Sequence, residues 1–94
     1  MGGKTHVTQS IDLQLAKRLY FRRKELCLTQ RRVGELAGVT FQQVQKYECG
    51  ANRITAAMLW LLADALEVPI TYFYDGLSKP QNGADAQEAL LDAA

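Results

Sequence analysis

The chain has 94 residues, which is enough for one domain with a single hydrophobic core, so we expect no second, catalytic domain. Hydrophobic residues make up 48% of it and charged residues of both signs 22%, which is typical of a folded globular chain. No apolar run reaches the roughly 18 residues that a membrane span needs, and the first residues lack the apolar core of a secretory signal. We therefore expect a cytoplasmic protein with no membrane partner.

The net charge of +1 conceals a difference between the two halves of the chain. Residues 1–53 carry ten Lys or Arg against four Asp or Glu, a balance of +6, whereas residues 54–94 carry one Lys against six acids, a balance of −5. This asymmetry is typical of a protein with one side facing phosphate groups. Solvated charges scattered around the molecule are the alternative.

The two cysteines do not indicate a metal site. Cys27 and Cys49 are 22 positions apart, no second ligand pair accompanies them, and His6 is the single histidine. We predict that Cys27 is a small buried residue at a helix end, and we expect no disulfide in the cytoplasm. Because nucleophilic, acid–base and metal-binding side chains do not cluster, we expect neither an enzyme nor a cofactor.

The first predicted helix runs from an N-cap at Ser10 to Leu26, after a flexible segment at 1–9. Arg23 stands where its apolar stripe would continue, so this charge needs a partner near the core. The stripe itself consists of Ile11, Leu15, Leu19 and Leu26.

Two short helices follow, each preceded by a threonine that can act as its N-cap. Thr29 precedes a predicted helix from Gln30 to Ala37, and Gly38 suits the left-handed turn that ends it. Thr40 then caps a helix from Phe41 to Cys49.

A third threonine precedes the fourth predicted helix, and a short fifth helix follows it. Thr55 caps a predicted helix from Ala56 to Glu67, and Pro69 enforces its end. A last short helix begins around Thr71. No segment shows a sustained period of two, so the fold class is all-α, with about five helices in a domain spanning residues 10–77. Residues 78–84 have the composition of a linker, and residues 85–94 that of a weak, short helix.

The stretch from Gln30 to Cys49 meets the requirements of a helix-turn-helix motif. Two short helices can cross closely only where a small residue lies at the contact, and Gly34 supplies one. Because successive helical residues turn by about 100°, Val44 and Tyr47 face inward together. The opposite face then presents Gln42, Gln45, Lys46 and Cys49.

The amide-rich outer face of the third helix has the chemistry of base recognition. Glutamine can both donate to and accept from adenine, and lysine can donate to guanine O6 and N7, with about 1–3 kcal/mol of discrimination for each good pair. Glutamines are also common on solvated helix surfaces, which is the alternative interpretation of this face alone.

Several short stretches resemble the Cro/repressor-type helix-turn-helix family, also called the XRE family, and most closely its alphaproteobacterial members. The resemblance extends from about Asp12 to Leu77. It implies a five-helix, lambda-repressor-like DNA-binding domain that regulates transcription, as a repressor, by binding a double-stranded operator. The stretches that carry it are 28–30 (LTQ), 38–40 (GVT), 41–50 (FQQVQKYECG), 52–53 (NR) and 62–69 (LADALEVP).

The resemblance also implies roles for individual residues. Phe41 stands where relatives often have glutamine, which implies contact with a thymine methyl instead of a hydrogen bond. An arginine of the first helix pairs with a glutamate of the third in such proteins, which here joins Arg23 to Glu48. The implied base contacts are Phe41, Gln42, Gln45 and Lys46. The implied phosphate contacts are Gln30, Thr40, Gln43 and Arg53.

Apolar residues on the fourth and fifth helices predict a homodimer, because such regulators bind two-fold operators as dimers. The alternative is that Trp60 and Phe73 complete a monomer core. A second function class also stays open: an antitoxin or interaction module whose apolar surface binds a partner protein, such as a toxin or polymerase. The predicted dimer surface comprises Met58, Trp60, Leu61, Tyr72, Phe73 and Tyr74.

Overall fold

A computed structural model describes residues 2–77, with side chains from Val7 onward. Its four α-helices are α1 (Gly2–Glu25), α2 (Gln30–Ala37), α3 (Phe41–Glu48) and α4 (Ala56–Ala65). No β-strand occurs within residues 2–77, so the all-α prediction is confirmed, but the fifth predicted helix is a 3-10 turn, Ile70–Phe73. The predicted linker and short helix at 78–94 lie outside the described residues. No helix in the described part is long and apolar enough to cross a membrane.

The start of α1 corrects the sequence-based boundary. We predicted a flexible segment at 1–9 and an N-cap at Ser10, but α1 begins at Gly2 and Ser10 lies exposed within it. Residues 4–9 contain neither proline nor glycine, so nothing in them interrupts the helical hydrogen bonds. A serine caps a helix only where the helix begins, and here it is an ordinary surface residue.

The three predicted threonine caps are confirmed. Thr29 Oγ1 accepts from the backbone N–H of Arg32 at 3.0 Å. The equivalent bonds are 3.1 Å at Thr40, which accepts from Gln43, and 3.1 Å at Thr55, which accepts from Met58. Each bond satisfies one of the backbone donors that a helix N-terminus leaves free. Three of the four helix starts are therefore determined by a side chain close by in the sequence.

The helix ends are set by left-handed residues. Gly38, with φ 83°, ends α2 as predicted, and its N–H donates to the carbonyl of Gly34 at 2.7 Å. The last turn of α4 ends at Ala65, two residues before the predicted end at Glu67. Glu67 has a φ of 59°, and this turn ends the helix before Pro69 is reached.

Cys27 corrects a second prediction, because its side chain is exposed instead of buried. The residue follows α1 directly and has a φ of 57°, in the left-handed region. In this conformation its N–H reaches the carbonyl of Lys24 at 3.0 Å and the N–H of Leu28 reaches that of Arg23 at 3.1 Å. Cys27 therefore has the helix-ending position that glycine usually occupies, and its side chain points away from the core.

The core is assembled from all four helices and the 3-10 turn. Its fully buried side chains include Leu19 from α1, Val33 from α2, Val44 from α3, Leu62 from α4 and Phe73. Every described element thus contributes to one apolar cluster, as expected for a domain of this size.

The crossing of α2 and α3 depends on the absence of a side chain at Gly34. A Cβ atom at this position would lie 2.5 Å from the carbonyl oxygen of Val39 and 3.2 Å from the carbonyl carbon of Thr40. Both are backbone atoms of the turn. The predicted close contact at Gly34 is confirmed, and the position of α3 against α2 depends on it.

Candidate nucleic-acid interface

The helix α3 is buried on one side and polar on the other, as its spacing predicts. Val44 and Tyr47 are buried against the core. The opposite face exposes Gln42, Gln45 and Lys46, and Cys49, which was predicted as the last helical residue, is exposed at the C-cap. The first three form no hydrogen bond through their side chains to any described residue, and the Cys49 thiol donates to the carbonyl of Lys46 at 3.6 Å. Donors and acceptors on this face are therefore available to a ligand.

A buried ion pair holds the C-terminal end of α3 against α1. Arg23 Nε donates to Glu48 Oε2 at 2.6 Å, and Arg23 Nη2 donates to Glu48 Oε1 at 3.0 Å. Arg23 also donates through Nη1 to the carbonyl of Leu28 at 2.9 Å. The two side chains are only 10% and 6% exposed. This arrangement is bidentate, and it explains how a charge on the apolar side of α1 is accommodated.

Gln30, the first residue of α2, joins this network. Its amide Nε2 donates to Glu48 Oε1 at 3.0 Å, and the side chain is half-buried. One amide N–H is therefore engaged within the protein, while the second N–H and the amide oxygen remain for other partners. Glu48 thus links α3 to both α1 and α2.

Thr40 and Gln43 lie at the beginning of α3. The hydroxyl oxygen of Thr40 accepts the backbone N–H of Gln43, so its own hydrogen is free to donate elsewhere. Thr40 is exposed and Gln43 is half-buried. Both residues border the exposed polar face of α3.

Arg53 is tied to α1 by an acid that the sequence analysis did not single out. Its Nε donates to Asp12 Oδ2 at 2.9 Å, and the two side chains are 67% and 30% exposed. The contact uses Nε alone, so both Nη groups keep their hydrogens for another acceptor. The two residues are 41 positions apart, so no local spacing could have revealed the pair.

Phe41 also has a partner that sequence analysis missed. The guanidinium carbon of Arg31, on α2, lies 4.5 Å from the centroid of the Phe41 ring. Arg31 is exposed and Phe41 is half-buried. The sequence does show a basic residue, Arg31, beside Gln30 in the first turn of α2. That Arg31 contacts the Phe41 ring, however, depends on how α2 and α3 cross.

Residues 19–73 match the helix-turn-helix family (HTH_3), which covers more than half of the chain. The chain belongs to the helix-turn-helix family. The matched segment includes α2, the turn and α3, together with α4 and the 3-10 helix. The resemblance inferred from short stretches of sequence is therefore confirmed.

Three relatives that are similar to this chain in sequence are named as transcriptional regulators. One from Rickettsia conorii is 42% identical over 84 residues, covering 86% of this chain and 67% of the relative. One from Sinorhizobium medicae is 36% identical over 84 residues, covering 89% of this chain. One from the ATPase CF(0) region of Rhodospirillum rubrum is 43% identical over 75 residues, covering 80% of this chain and 69% of the relative. All three organisms are alphaproteobacteria. The matched part is 59% of the length of the Sinorhizobium medicae protein.

Two solved structures have a similar helix-turn-helix fold. The restriction-modification controller protein C.AhdI from Aeromonas hydrophila has a TM-score of 0.64 and 22% identity, over 66% of this chain and 94% of that one. The P22 c2 repressor in complex with a synthetic operator has a TM-score of 0.61 and 25% identity, over 67% of this chain and 96% of the repressor.

The predicted dimer surface of this helix-turn-helix domain is only partly a surface. Phe73 is fully buried, so its inclusion was wrong: its ring fills the core between α1 and α4. Met58 and Tyr72 are half-buried against the same core, and the Tyr72 hydroxyl donates to the carbonyl of Arg18 at 3.2 Å. The members that remain exposed are Trp60, Leu61 and Tyr74.

Proposed function

We propose that this chain is a sequence-specific DNA-binding regulator of transcription whose helix α3 reads the major groove. The observation that carries the proposal is the exposed amide and ammonium face of α3, on a helix held from behind by the core and by Glu48. A rigid helix with free donors and acceptors is what direct base readout requires. The operator complex of the structurally similar P22 c2 repressor supports this proposal.

The proposed contacts divide into base-reading and phosphate-binding groups. Amide and ammonium groups on α3 would hydrogen-bond to base edges, whereas residues at the helix starts and in the loop before α4 would fix the register on the backbone. We infer a repressor that occludes a promoter in the cytoplasm. The base-reading residues are Gln42, Gln45 and Lys46, to which the family resemblance adds Phe41, and the phosphate-binding residues are Gln30, Thr40, Gln43 and Arg53.

Replacing Lys46 and replacing Arg53 are expected to have different effects on DNA binding. Lys46→Ala should change the preferred base at one operator position, because a lost base contact removes about 1–3 kcal/mol of discrimination there. Arg53→Ala should weaken binding to all sequences and lower the slope of log affinity against log salt by about 0.9. The measurement is selection from random duplexes, followed by binding to the selected duplex at several salt concentrations.

Lys17→Ala is the matched control, because it removes an exposed cation of α1 that belongs to neither group. It should leave both the preferred sequence and the salt slope unchanged. If Lys46→Ala and Arg53→Ala weakened every sequence alike, the assignment of α3 as the reading helix would be wrong.

We further propose that the chain forms a homodimer through the apolar surface around Trp60. This side chain is 66% exposed and shares a surface depression with Val68, Pro69 and Ile70. Large exposed aromatic residues of this kind are typical of interface cores. A two-fold dimer would bind half-sites about one helical turn apart.

Trp60→Ala is expected to convert the dimer into a monomer and to weaken operator binding, as measured by sedimentation with and without DNA. Phe21→Ala provides the control, because Phe21 is an exposed aromatic residue on α1, 56% accessible, outside this surface. A wild-type protein that stays monomeric at high micromolar concentration, and also on operator DNA, would contradict the dimer.

The exposed Trp60 surface favours one other function, that of an interaction module that binds a partner protein such as a toxin or polymerase. The two functions are compatible in one chain. They differ in a measurable way, because a module acting only through a partner would select no preferred sequence from random duplexes.

A further inference from the structure

Among the arginines with described side chains, Arg31 differs in that its guanidinium has no acceptor within the described part of the protein. The guanidinium groups of Arg22, Arg23, Arg32 and Arg53 each bind a carboxylate, and that of Arg18 donates to the backbone carbonyls of Tyr72 and Asp75. In the part of the chain with described side chains, Arg31 contacts the ring of Phe41 and forms no hydrogen bond or ion pair. Its five N–H groups and its full positive charge are therefore available at the surface.

The contact with Phe41 restricts where that charge can lie. A guanidinium stacked on an aromatic face keeps its N–H groups at the edge of the plane, where they can form hydrogen bonds. Phe41 is the first residue of α3, so the stack places Arg31 beside the start of the reading helix. Gln30, the neighbour of Arg31 on α2, is already joined to α3 through Glu48. Gln30 and Arg31 therefore both connect the start of α2 to α3, and they lie on one continuous surface formed by the two helices.

We propose that Arg31 donates to a DNA phosphate flanking the bases read by α3, and that Phe41 is its positioning residue. This inference rests on the proposed function and deepens it. Phe41 then acts by holding a cation in place, instead of by touching a thymine methyl as the family resemblance implies. A half-buried ring is suited to this role, because partial burial restricts the motion of the ring over which the guanidinium lies.

The test compares single and double variants on the selected duplex and on random duplexes across a range of salt concentrations. Arg31→Ala should weaken binding to both kinds of duplex several-fold and lower the salt slope by about 0.9, because one phosphate contact is lost. Phe41→Leu should weaken binding of the otherwise wild-type protein, whereas Phe41→Tyr, which retains a ring, should preserve it. In an Arg31→Ala background, Phe41→Leu should have no further effect.

A second measurement detects the stack without DNA. In the free protein, ring currents should shift the NMR signals of the Arg31 side chain, and Phe41→Leu should abolish this shift while circular dichroism shows an intact fold. The proposal is overturned if Arg31→Ala leaves the salt slope unchanged. It is also overturned if Phe41→Leu changes base preference at one position equally in both backgrounds, since Phe41 would then read a base itself. A wild-type protein without sequence preference would instead defeat the proposed function.

Discussion

The variant Glu48→Met is expected to lower the free energy of unfolding by about 3–5 kcal/mol, because it leaves the buried Arg23 guanidinium without its carboxylate. Glu48 accepts two hydrogen bonds from Arg23 and a third from Gln30, and all three are lost together. Methionine has a similar length, so the effect reports the loss of charge and not a large cavity. Urea unfolding followed by circular dichroism measures it.

Two further variants separate the energetic contribution of the ion pair from that of lost packing around Glu48. The double variant Arg23→Met/Glu48→Met removes both charges, so its cost should be smaller than the sum of the single variants by about 2–3 kcal/mol. Glu35→Met breaks the exposed pair with Arg32, whose side chains are 56% and 59% accessible, and should change stability by less than about 1 kcal/mol. Equal costs at Glu48 and Glu35 would show that burial of the pair has no energetic consequence.

The second large effect is expected at Gly34, where Gly34→Ala should lower the free energy of unfolding by about 3 kcal/mol. In an ordinary helix this change would stabilise the protein by about 0.5–1 kcal/mol. Here the new Cβ would lie 2.5 Å from the carbonyl oxygen of Val39, which is a backbone atom and cannot rotate away. The turn between α2 and α3 would have to shift, so binding to DNA should weaken as well.

Gly38→Ala is the matched control for this effect, because Gly38 ends the same helix but its added methyl group would not collide with the turn. A Cβ at Gly38 would meet no described atom within 4 Å, so its cost comes only from the left-handed backbone with φ of 83°. This cost is about 1–2 kcal/mol. Urea unfolding of both variants should therefore rank Gly34→Ala as the more destabilising, and the reverse order would show that the crossing of α2 and α3 relaxes readily.

Local rules accounted for much of the fold. The starts of α2, α3 and α4 follow from threonine caps that act over three residues. Helical periodicity alone was sufficient to separate the buried face of α3 from its exposed amide face. These features are visible in the sequence because both partners of each contact lie within one short stretch of the chain.

Local rules could not predict other features, because these depend on residues that are distant in the sequence. The Arg23 partner came from resemblance to a family, not from spacing. Asp12 binds Arg53 across 41 positions, and Phe73 is buried because the 3-10 helix packs against both α1 and α4. The exposed position of Cys27 has a local cause instead, a left-handed backbone that its residue type does not favour.

The helix-turn-helix, its caps and the polar face that we propose reads DNA could all be predicted from the amino-acid sequence, because they arise from short-range geometry and from residue chemistry. Which of these residues act together depends on how the helices pack. The crossing at Gly34 brings α2 against α3 and places Arg31 over Phe41, and packing of α4 and the 3-10 helix leaves Trp60 exposed while it buries Phe73. Neighbours across such a crossing depend on how helices pack, and the periodicity of one helix carries no information about the residues of another.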